Sequence, residues 1–137
     1  MTLKEEILEG FLYDQWANDL WDKTLLEWPL PQANITRSHI TRAKQSWLQR
    51  LTGEELDLRE AELDARYLEF VQNCDLTQEL EYQNMRGESF KQPIHQILRH
   101  IILHGQYHRG QLRALAEADG LEWPETDLIF FHRQKQS

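Results

Sequence analysis

The chain has 137 residues, of which 40% are hydrophobic and 28% charged, and its formal net charge is -8. This length and composition are typical of a single globular domain, here residues 1–137. The negative charge argues against nucleic acid as a partner, because binding phosphates requires a basic face. No apolar stretch reaches membrane-spanning length, and the acidic, polar N-terminus differs from a signal peptide.

Cys74 is the single cysteine, which excludes an internal disulfide. A reducing cytoplasm is therefore the expected location. Cys74 follows Leu63, Tyr67 and Phe70 at helical spacing, which favours a small core residue over a nucleophile.

Hydrophobic periodicity predicts an all-α fold, a four-helix bundle with a short β-hairpin between helices 3 and 4. The first helix covers residues 3–27 and ends at Trp28-Pro29-Leu30-Pro31, because the residue before a proline avoids the helical conformation. The second helix covers residues 35–51, with Asn34 as its N-cap and Gly53 just past its end.

The third helix runs from Arg59 to Cys74, and the periodicity then changes. Leu80 and Tyr82 alternate with charged residues, and Gly87 suits a turn, so a β-hairpin is expected here.

The fourth helix is expected to begin at Pro93, since proline is favoured at the first helical position, and to run to Gly120. At about 1.5 Å per residue it would be roughly 40 Å long. The tail contains Trp123-Pro124 and the apolar residues 128–131, and we expect it to be extended and packed on the bundle.

The fourth helix carries two histidines four residues apart, His104 and His108. This spacing places both rings on successive turns of one face, so that they can converge on one ion. At about 100° per residue, His108 lies roughly 40° from the centre of the apolar stripe, His104 roughly 70° and His100 roughly 110°. His100 and His108 are about 12 Å apart along the axis, too far to share an ion. A third histidine, His39, lies upstream on the second helix.

Spacing alone leaves two interpretations of the pair open, a metal site and hydrogen-bonded core histidines. No HExxH motif is present because Gly105 follows His104, and no second cysteine is available for a Cys-rich structural zinc site. An ion held by imidazole nitrogens alone would leave room for water, as in an open, catalytic type of site.

Two polar residues, Asp14 and Asn18, interrupt the apolar stripe of the first helix, whose other members are Leu3, Ile7, Phe11, Trp21 and Leu25. Buried polar groups need partners, so the two either form a hydrogen-bonded structural pair or face the metal or substrate. Gly105 and Gly110 are also unusual within a helix, and each allows a ligand or another helix to come close.

The first helix has a second apolar ridge, formed by Leu12, Trp16 and Leu20. A helix that is apolar on two sides is either central or covered by a partner, so we expect a homodimer.

The chain resembles the DinB/YfiT-like superfamily of metal-binding four-helix bundles, and within it the DinB branch. Tyr13-Asp14-Gln15-Trp16-Ala17-Asn18 is similar to the family's Y-N-x-W-A-N stretch, with Asp14 in place of the usual asparagine. The segment from His39 to Trp47 resembles its first histidine segment. Residues 80–112 resemble its hairpin and last helix, including the fairly specific HxxxHRGQ element. Trp123-Pro124 and residues 127–131 match its closing segment.

The resemblance implies a divalent metal bound by His39, His104 and His108. Zinc and nickel are the first candidates, and iron and manganese the next. It also implies a metal-dependent transferase of low-molecular-weight thiols, or a hydrolase, acting on a small molecule. Asp14, Asn18 and Arg109 are then candidates for groups that position the substrate.

Two alternatives remain beside an enzyme. One is a non-enzymatic, stress-related bundle that binds metal or senses a ligand, and the other is a dimeric bundle whose histidines bind nothing. The expected partners are a small molecule, such as a thiol, and a second copy of the chain, without nucleic acid or membrane.

Overall fold

The computed structural model describes residues 1–134, and most of them are helical. The elements in chain order are α1 (Leu3–Leu26), α2 (Pro31–Thr52), α3 (Glu60–Asn73), β1 (Glu79–Gln83), β2 (Ser89–Pro93), α4 (Ile94–Ala118) and α5 (Leu128–Gln134). Both α3 and α4 pack against α1 and α2. The predicted all-α fold with a hairpin between the third and fourth helices is confirmed.

The hairpin is antiparallel, with Leu80 opposite Gln92 and Tyr82 opposite Phe90. Gly87 lies in its turn with φ of 79°, a left-handed conformation that glycine adopts without steric cost. The side chain of Asn84 accepts hydrogen bonds from the backbone N–H groups of Arg86 and Glu88. The turn predicted at Gly87 is therefore confirmed.

The predicted start of the second helix was wrong. α2 begins at Pro31, its N-cap is Leu30, and Asn34 lies inside the first turn rather than at the cap. The reason is that proline both ends one helix and begins another, since its fixed φ suits the first helical position. The predicted end is confirmed, because Gly53 has φ of 73° and donates its N–H to the Gln49 carbonyl at 2.8 Å.

The tail packs on the bundle as predicted, but the expectation that all of it is extended was wrong, because residues 128–134 form the helix α5. Its residue Phe131 is buried against Tyr13 and Trp16 of α1, with ring centroids 5.8 and 5.5 Å apart. A helical turn lets Phe131 point inward while Leu128 and Ile129 stay about half exposed. Contacts with α1 thus stabilise a helix too short to form alone.

The apolar core has two main parts. The larger one lies among α1, α2, α3 and α4 and includes Phe11, Leu48, Leu63, Tyr67 and Leu98, with Cys74 packed against it as predicted. The smaller one contains Trp21, Trp28, Ala33, Leu112 and Ala116. Along α1 and α4, buried polar residues separate the two parts.

Within residues 1–134, no helix combines the length and apolar character needed to cross a lipid bilayer.

Candidate metal centre

The three histidines implied by the family resemblance lie together in the structure. His39 projects from α2, and His104 and His108 project from α4, which packs against α2. One ring nitrogen from each residue lies within 4.8 Å of the other two. His39 is exposed and the other two are half-buried, so the cluster is open to solvent on one side.

His104 and His108 are the closest pair, with their Nε2 atoms 3.1 Å apart. Two nitrogens bound to one tetrahedral ion at about 2.0–2.1 Å would be about 3.3 Å apart, so the pair is nearly spaced for a shared ion. The ring of His39 is 5.2 Å from that of His104 and 4.5 Å from that of His108, centroid to centroid. The cluster could therefore hold a metal ion.

Gln111 orients the ring of His108. Its side-chain oxygen lies 2.6 Å from His108 Nδ1, one turn further along α4. This oxygen accepts a hydrogen bond, which places the His108 proton on Nδ1 and leaves the Nε2 lone pair facing the cluster.

The pKa values of His104 and His39 favour neutral rings. The pKa of His104 falls to about 4, mainly through burial and then through the charges of His108, His100 and His39, with Asp14 opposing. The pKa of His39 is also lowered, first by burial and then by the charges of His108 and Arg42. Metal binding needs unprotonated imidazole, so at neutral pH these two rings are ready to bind.

Asp14 and Asn18, the polar residues of the α1 stripe, form a buried hydrogen-bonded group behind the histidines. Asn18 Nδ2 donates to Asp14 at 3.3 Å, Lys44 Nζ lies 3.2 Å from the carboxylate, and Arg109 Nη1 donates to it at 2.7 Å. Asp14 and Asn18 are each 1% exposed. These contacts agree with the interpretation of Asp14 and Asn18 as a hydrogen-bonded structural pair, rather than as residues that face the metal.

Two buried residues of α2, Lys44 and Arg37, extend this group. Their burial was not predicted from the sequence. Lys44 also bonds to Asp64, and Arg37 holds both Asp22, at 2.8 Å, and Glu60, at 2.7 Å. The charges therefore link all four long helices. A signal was present, because Ile40, Lys44 and Leu48 recur every four residues, which places a lysine in an apolar stripe.

The two glycines of α4 have different environments. A Cβ atom at Gly105 would lie 2.5 Å from Asp14 Oδ1 and 3.0 Å from Arg109 Nη1, whereas one at Gly110 would have no heavy atom within 4 Å. Gly105 thus permits the Asp14–Arg109 contact, and Gly110 faces open space.

The candidate positioning residues Asp14, Asn18 and Arg109 bond to one another rather than to the histidine rings. Asp14 acts on His104 only through its charge, which raises the pKa of that ring. Their part in catalysis stays a prediction. His100 is exposed, and its ring lies beside those of His104 and Trp47, at 5.6 and 5.7 Å.

The model of the DinB family matches residues 2–137, nearly the whole chain. This chain belongs to the DinB family. It is similar to Protein DinB of Bacillus subtilis (strain 168), with 35% identity over 75 residues, which cover 54% of this chain and 42% of that protein. The matched region thus spans less than half of the relative. No solved structure matches the chain at a significant level.

In this DinB-family protein, the three histidines that the sequence resemblance implied as ligands lie in one cluster. The histidine cluster could hold a metal ion through three nitrogen ligands. Among residues 1–134, the cluster contains no carboxylate or thiol ligand.

Proposed function

We propose that this DinB-family protein binds one divalent ion through His39, His104 and His108 and acts on a small molecule. The reaction would be transfer of a low-molecular-weight thiol, or else hydrolysis. The observation that carries the proposal is the approach of three imidazole nitrogens to within 4.8 Å of one another, on a side of the bundle that solvent reaches.

The donor set fits zinc or nickel first and iron next, because imidazole suits borderline divalent ions, whereas manganese prefers oxygen ligands and fits it less well. When bound, such an ion lowers the pKa of a coordinated water or thiol, which supplies a nucleophile near neutral pH. The protein would orient the ligand rings and present unprotonated imidazole nitrogens to the ion. Gln111 fixes the ring of His108, and burial keeps His104 neutral.

A shallow cavity lies about one helical turn from the cluster, although none of the three histidines lines it. It has a volume of about 360 Å³ and is lined by Gln32, Thr36, Gln111, Ala114 and Leu115. Thr36 precedes His39 by one turn of α2, and Gln111 bonds to His108. The lining is apolar with two amides, which suits a small, uncharged portion of a substrate.

A non-enzymatic role is the second candidate, and one observation favours it. In the described part of the chain, the cluster lacks a carboxylate that could act as a general base. An ion held by α2 and α4 would then serve mainly to tie the two helices together.

Metal binding is tested by elemental analysis of untagged protein and by calorimetric titration of the metal-free protein with zinc and nickel. We expect one ion per chain, and a loss of affinity of about tenfold or more in His39→Ala and in His108→Ala. His100→Ala is the matched control, because His100 is exposed on the same helix and lies outside the cluster. Unchanged affinity in both cluster variants would overturn the site.

Activity is then measured as thiol transfer to an electrophilic, chromogenic acceptor, with a panel of low-molecular-weight thiols and hydrolysable esters. If the protein is an enzyme, His108→Ala abolishes turnover and leaves the melting temperature nearly unchanged. If the ion is structural, the same variant lowers the melting temperature of the metal-loaded protein substantially, because binding free energy is then folding free energy.

A further inference from the structure

The charges of this acidic chain are unevenly distributed. The two helices that carry the histidine cluster, α2 and α4, contain seven of the 15 lysine and arginine residues but only one of the 23 acidic residues. That acidic residue, Glu117, follows His108 by nine positions, roughly 14 Å along α4 at about 1.5 Å per residue. The histidines therefore lie on the two basic helices of a chain whose net charge is -8.

Four of the seven cations pair with carboxylates of other elements. They are Arg37, Lys44, Arg99 and Arg109. The other three form no ion pair with residues 1–134, and they are Arg42, Arg50 and Arg113. Arg113 is roughly 140° around α4 from His108, at about 100° per residue, so it lies on another face. Two unpaired arginines thus remain on the side of the cluster.

Arg50 is held above two aromatic rings. Its guanidinium carbon lies 4.6 Å from the ring centroid of Trp47 and 5.9 Å from that of Tyr82. The side chain is half-buried and donates no hydrogen bond to any described residue. The cation–π contacts therefore fix the position of the charge and leave its N–H groups available for an anion.

Aromatic rings connect Arg50 with the histidine cluster. The ring centroid of Trp47 lies 5.7 Å from that of His100, which in turn lies 5.6 Å from that of His104. Arg50 follows His39 by eleven residues, which places the two within about 20° on one face of α2. Trp47, which carries the guanidinium, is about 12 Å from His39 along the helix axis, at about 1.5 Å per residue. A small, extended molecule can span that distance.

The acidic residues of β1 lie on the other side of the hairpin. Glu79 and Glu81 alternate with Leu80 and Tyr82, and successive side chains of a strand point to opposite faces. Carboxylate oxygens of Glu79 and Glu81 lie 3.3 and 3.9 Å from Lys91 Nζ. The face of β1 that meets Trp47 and Arg50 thus carries the ring of Tyr82.

A divalent ion in the cluster would make this side of the bundle more positive. Its ligands would be three neutral imidazoles, and within residues 1–134 the cluster includes no carboxylate. The two charges of the ion would then have no negative protein ligand, which favours an anion as the added ligand. A local positive potential also raises the concentration of anions at one face of a protein whose net charge is negative.

We infer that the substrate is an elongated anion and that Arg50 binds its carboxylate or phosphate group. The inference rests on the proposed function, because it takes the histidine cluster as the place of the reacting atom. The anionic group then lies over Trp47, and the reacting atom lies at His39 and His104. Uncharged molecules of the same length are the poorer substrates.

Arg42 is the competing partner for the anion. It follows His39 by three residues, and its charge adds to burial and to His108 in lowering the pKa of that ring. Arg42 is exposed, however, and no hydrogen bond, ion pair or ring contact with residues 1–134 holds its guanidinium. Arg50 is already positioned, so binding an anion to it costs less side-chain entropy.

The inference is tested by calorimetric titration of the zinc-loaded full chain with 8-mercaptooctanoic acid and with its uncharged amide. When extended, this thiol reaches from the cluster to Trp47, whereas 3-mercaptopropionic acid and its amide are too short. We expect the long acid to bind about tenfold more tightly than its amide or better, because a hydrogen bond to a charged group contributes at least this much. The short acid should show no such preference.

Arg50→Gln should remove the preference for the long acid, and Arg50→Lys should keep part of it, since lysine retains the charge without the paired N–H groups. Arg113→Gln is the matched control. Arg113 also lies over a tryptophan, 5.1 Å from the ring centroid of Trp123, but on another face of α4. Equal binding of the long acid and its amide would overturn the inference. A preference that Arg42→Gln removes and Arg50→Gln leaves intact would do the same.

A second measurement separates this inference from the proposed function. The metal-free chain is titrated with acetate and acetamide at constant ionic strength, and nuclear magnetic resonance follows the Arg50 Nε–H and the Trp47 indole N–H. Saturable shifts with acetate alone would support the anion site even if no thiol binds to the zinc-loaded protein, a result that would instead refute thiol transfer. The absence of any shift at Arg50 up to hundreds of millimolar acetate would overturn the inference.

Discussion

Gly105 of α4 lies against the carboxylate of Asp14 of α1, so closely that a methyl group on Gly105 would be 2.5 Å from Asp14 Oδ1. The same methyl group would lie 3.0 Å from Arg109 Nη1, the atom that donates to this carboxylate. The missing side chain at position 105 is therefore what allows the buried pair to form directly behind His104.

Gly105→Ala should destabilise the protein although alanine is the better helix former. The added methyl group must displace a buried ion pair, and overpacking of this kind costs about 1–3 kcal/mol. Gly110→Ala is the matched control on the same helix. It meets no neighbour, so it should stabilise the fold by up to about 1 kcal/mol. Urea unfolding of both variants measures the difference, and equal stability would contradict the packing described for Gly105.

Lys44→Met should be one of the most destabilising single changes in the chain. Lys44 is 2% exposed and pairs with Asp14 and Asp64, so its loss removes the cation beside Asp64 and leaves Asp14 with Arg109 alone. Breaking a buried pair in this way costs about 3–5 kcal/mol.

Arg99→Ala is the control for Lys44→Met, because Arg99 pairs with Glu6 at 3.5 Å while both side chains are about half exposed. That pair should contribute at most about 1 kcal/mol. Thermal and urea unfolding give both values. A loss in Lys44→Met no larger than in Arg99→Ala would show that the buried charges contribute little.

Much of the fold follows from local patterns in the sequence. Helical periodicity predicts the four long helices, and the alternation around Leu80 and Tyr82 predicts the hairpin. The short helix α5 could not be predicted, because its stability comes from the contacts of Phe131 with Tyr13 and Trp16, over a hundred residues away. The start of α2 was missed because Pro31 favours two interpretations, a helix end and a helix start.

Part of the candidate site could likewise be predicted from the sequence, and part of it could not. Spacing on one helix is enough to pair His104 with His108, because both lie on α4. Only the family resemblance implied His39, since its approach depends on how α2 packs against α4. The charges of Lys44 and Arg37 were missed because a lysine or arginine is normally assigned to the surface unless its acidic partners are known.

The metal-free protein should lose stability as the pH falls from about 6.5 towards 4. The pKa of His104 is lowered to about 4 in the folded state, so the unfolded chain, with its ordinary histidine pKa near 6.5, binds more protons in this interval. Proton binding to the unfolded state shifts the equilibrium away from the fold. Above about pH 6.5 His104 is neutral in both states, so this loss of stability is absent.

The His104 titration is measured from the imidazole C–H resonances of the metal-free protein, together with urea unfolding at several pH values. His104→Gln is the control, and it should have a weaker dependence of stability on pH in this interval. A His104 resonance that titrates near pH 6.5 would contradict the burial of this ring.

Homodimerisation through the Leu12–Trp16–Leu20 ridge remains a prediction. In the structure α5 covers part of this ridge, because Phe131 packs on Trp16, while Leu12 stays 40% exposed. If a second copy packs on the remaining part, Leu12→Arg buries an unpaired charge at the interface and converts the dimer into a monomer. Met85→Arg is the control, because Met85 is fully exposed in the hairpin turn, and it should leave the dimer intact. Sedimentation equilibrium at several protein concentrations gives the mass, and a monomeric wild-type protein at high concentration would show that α5 alone completes the cover of α1.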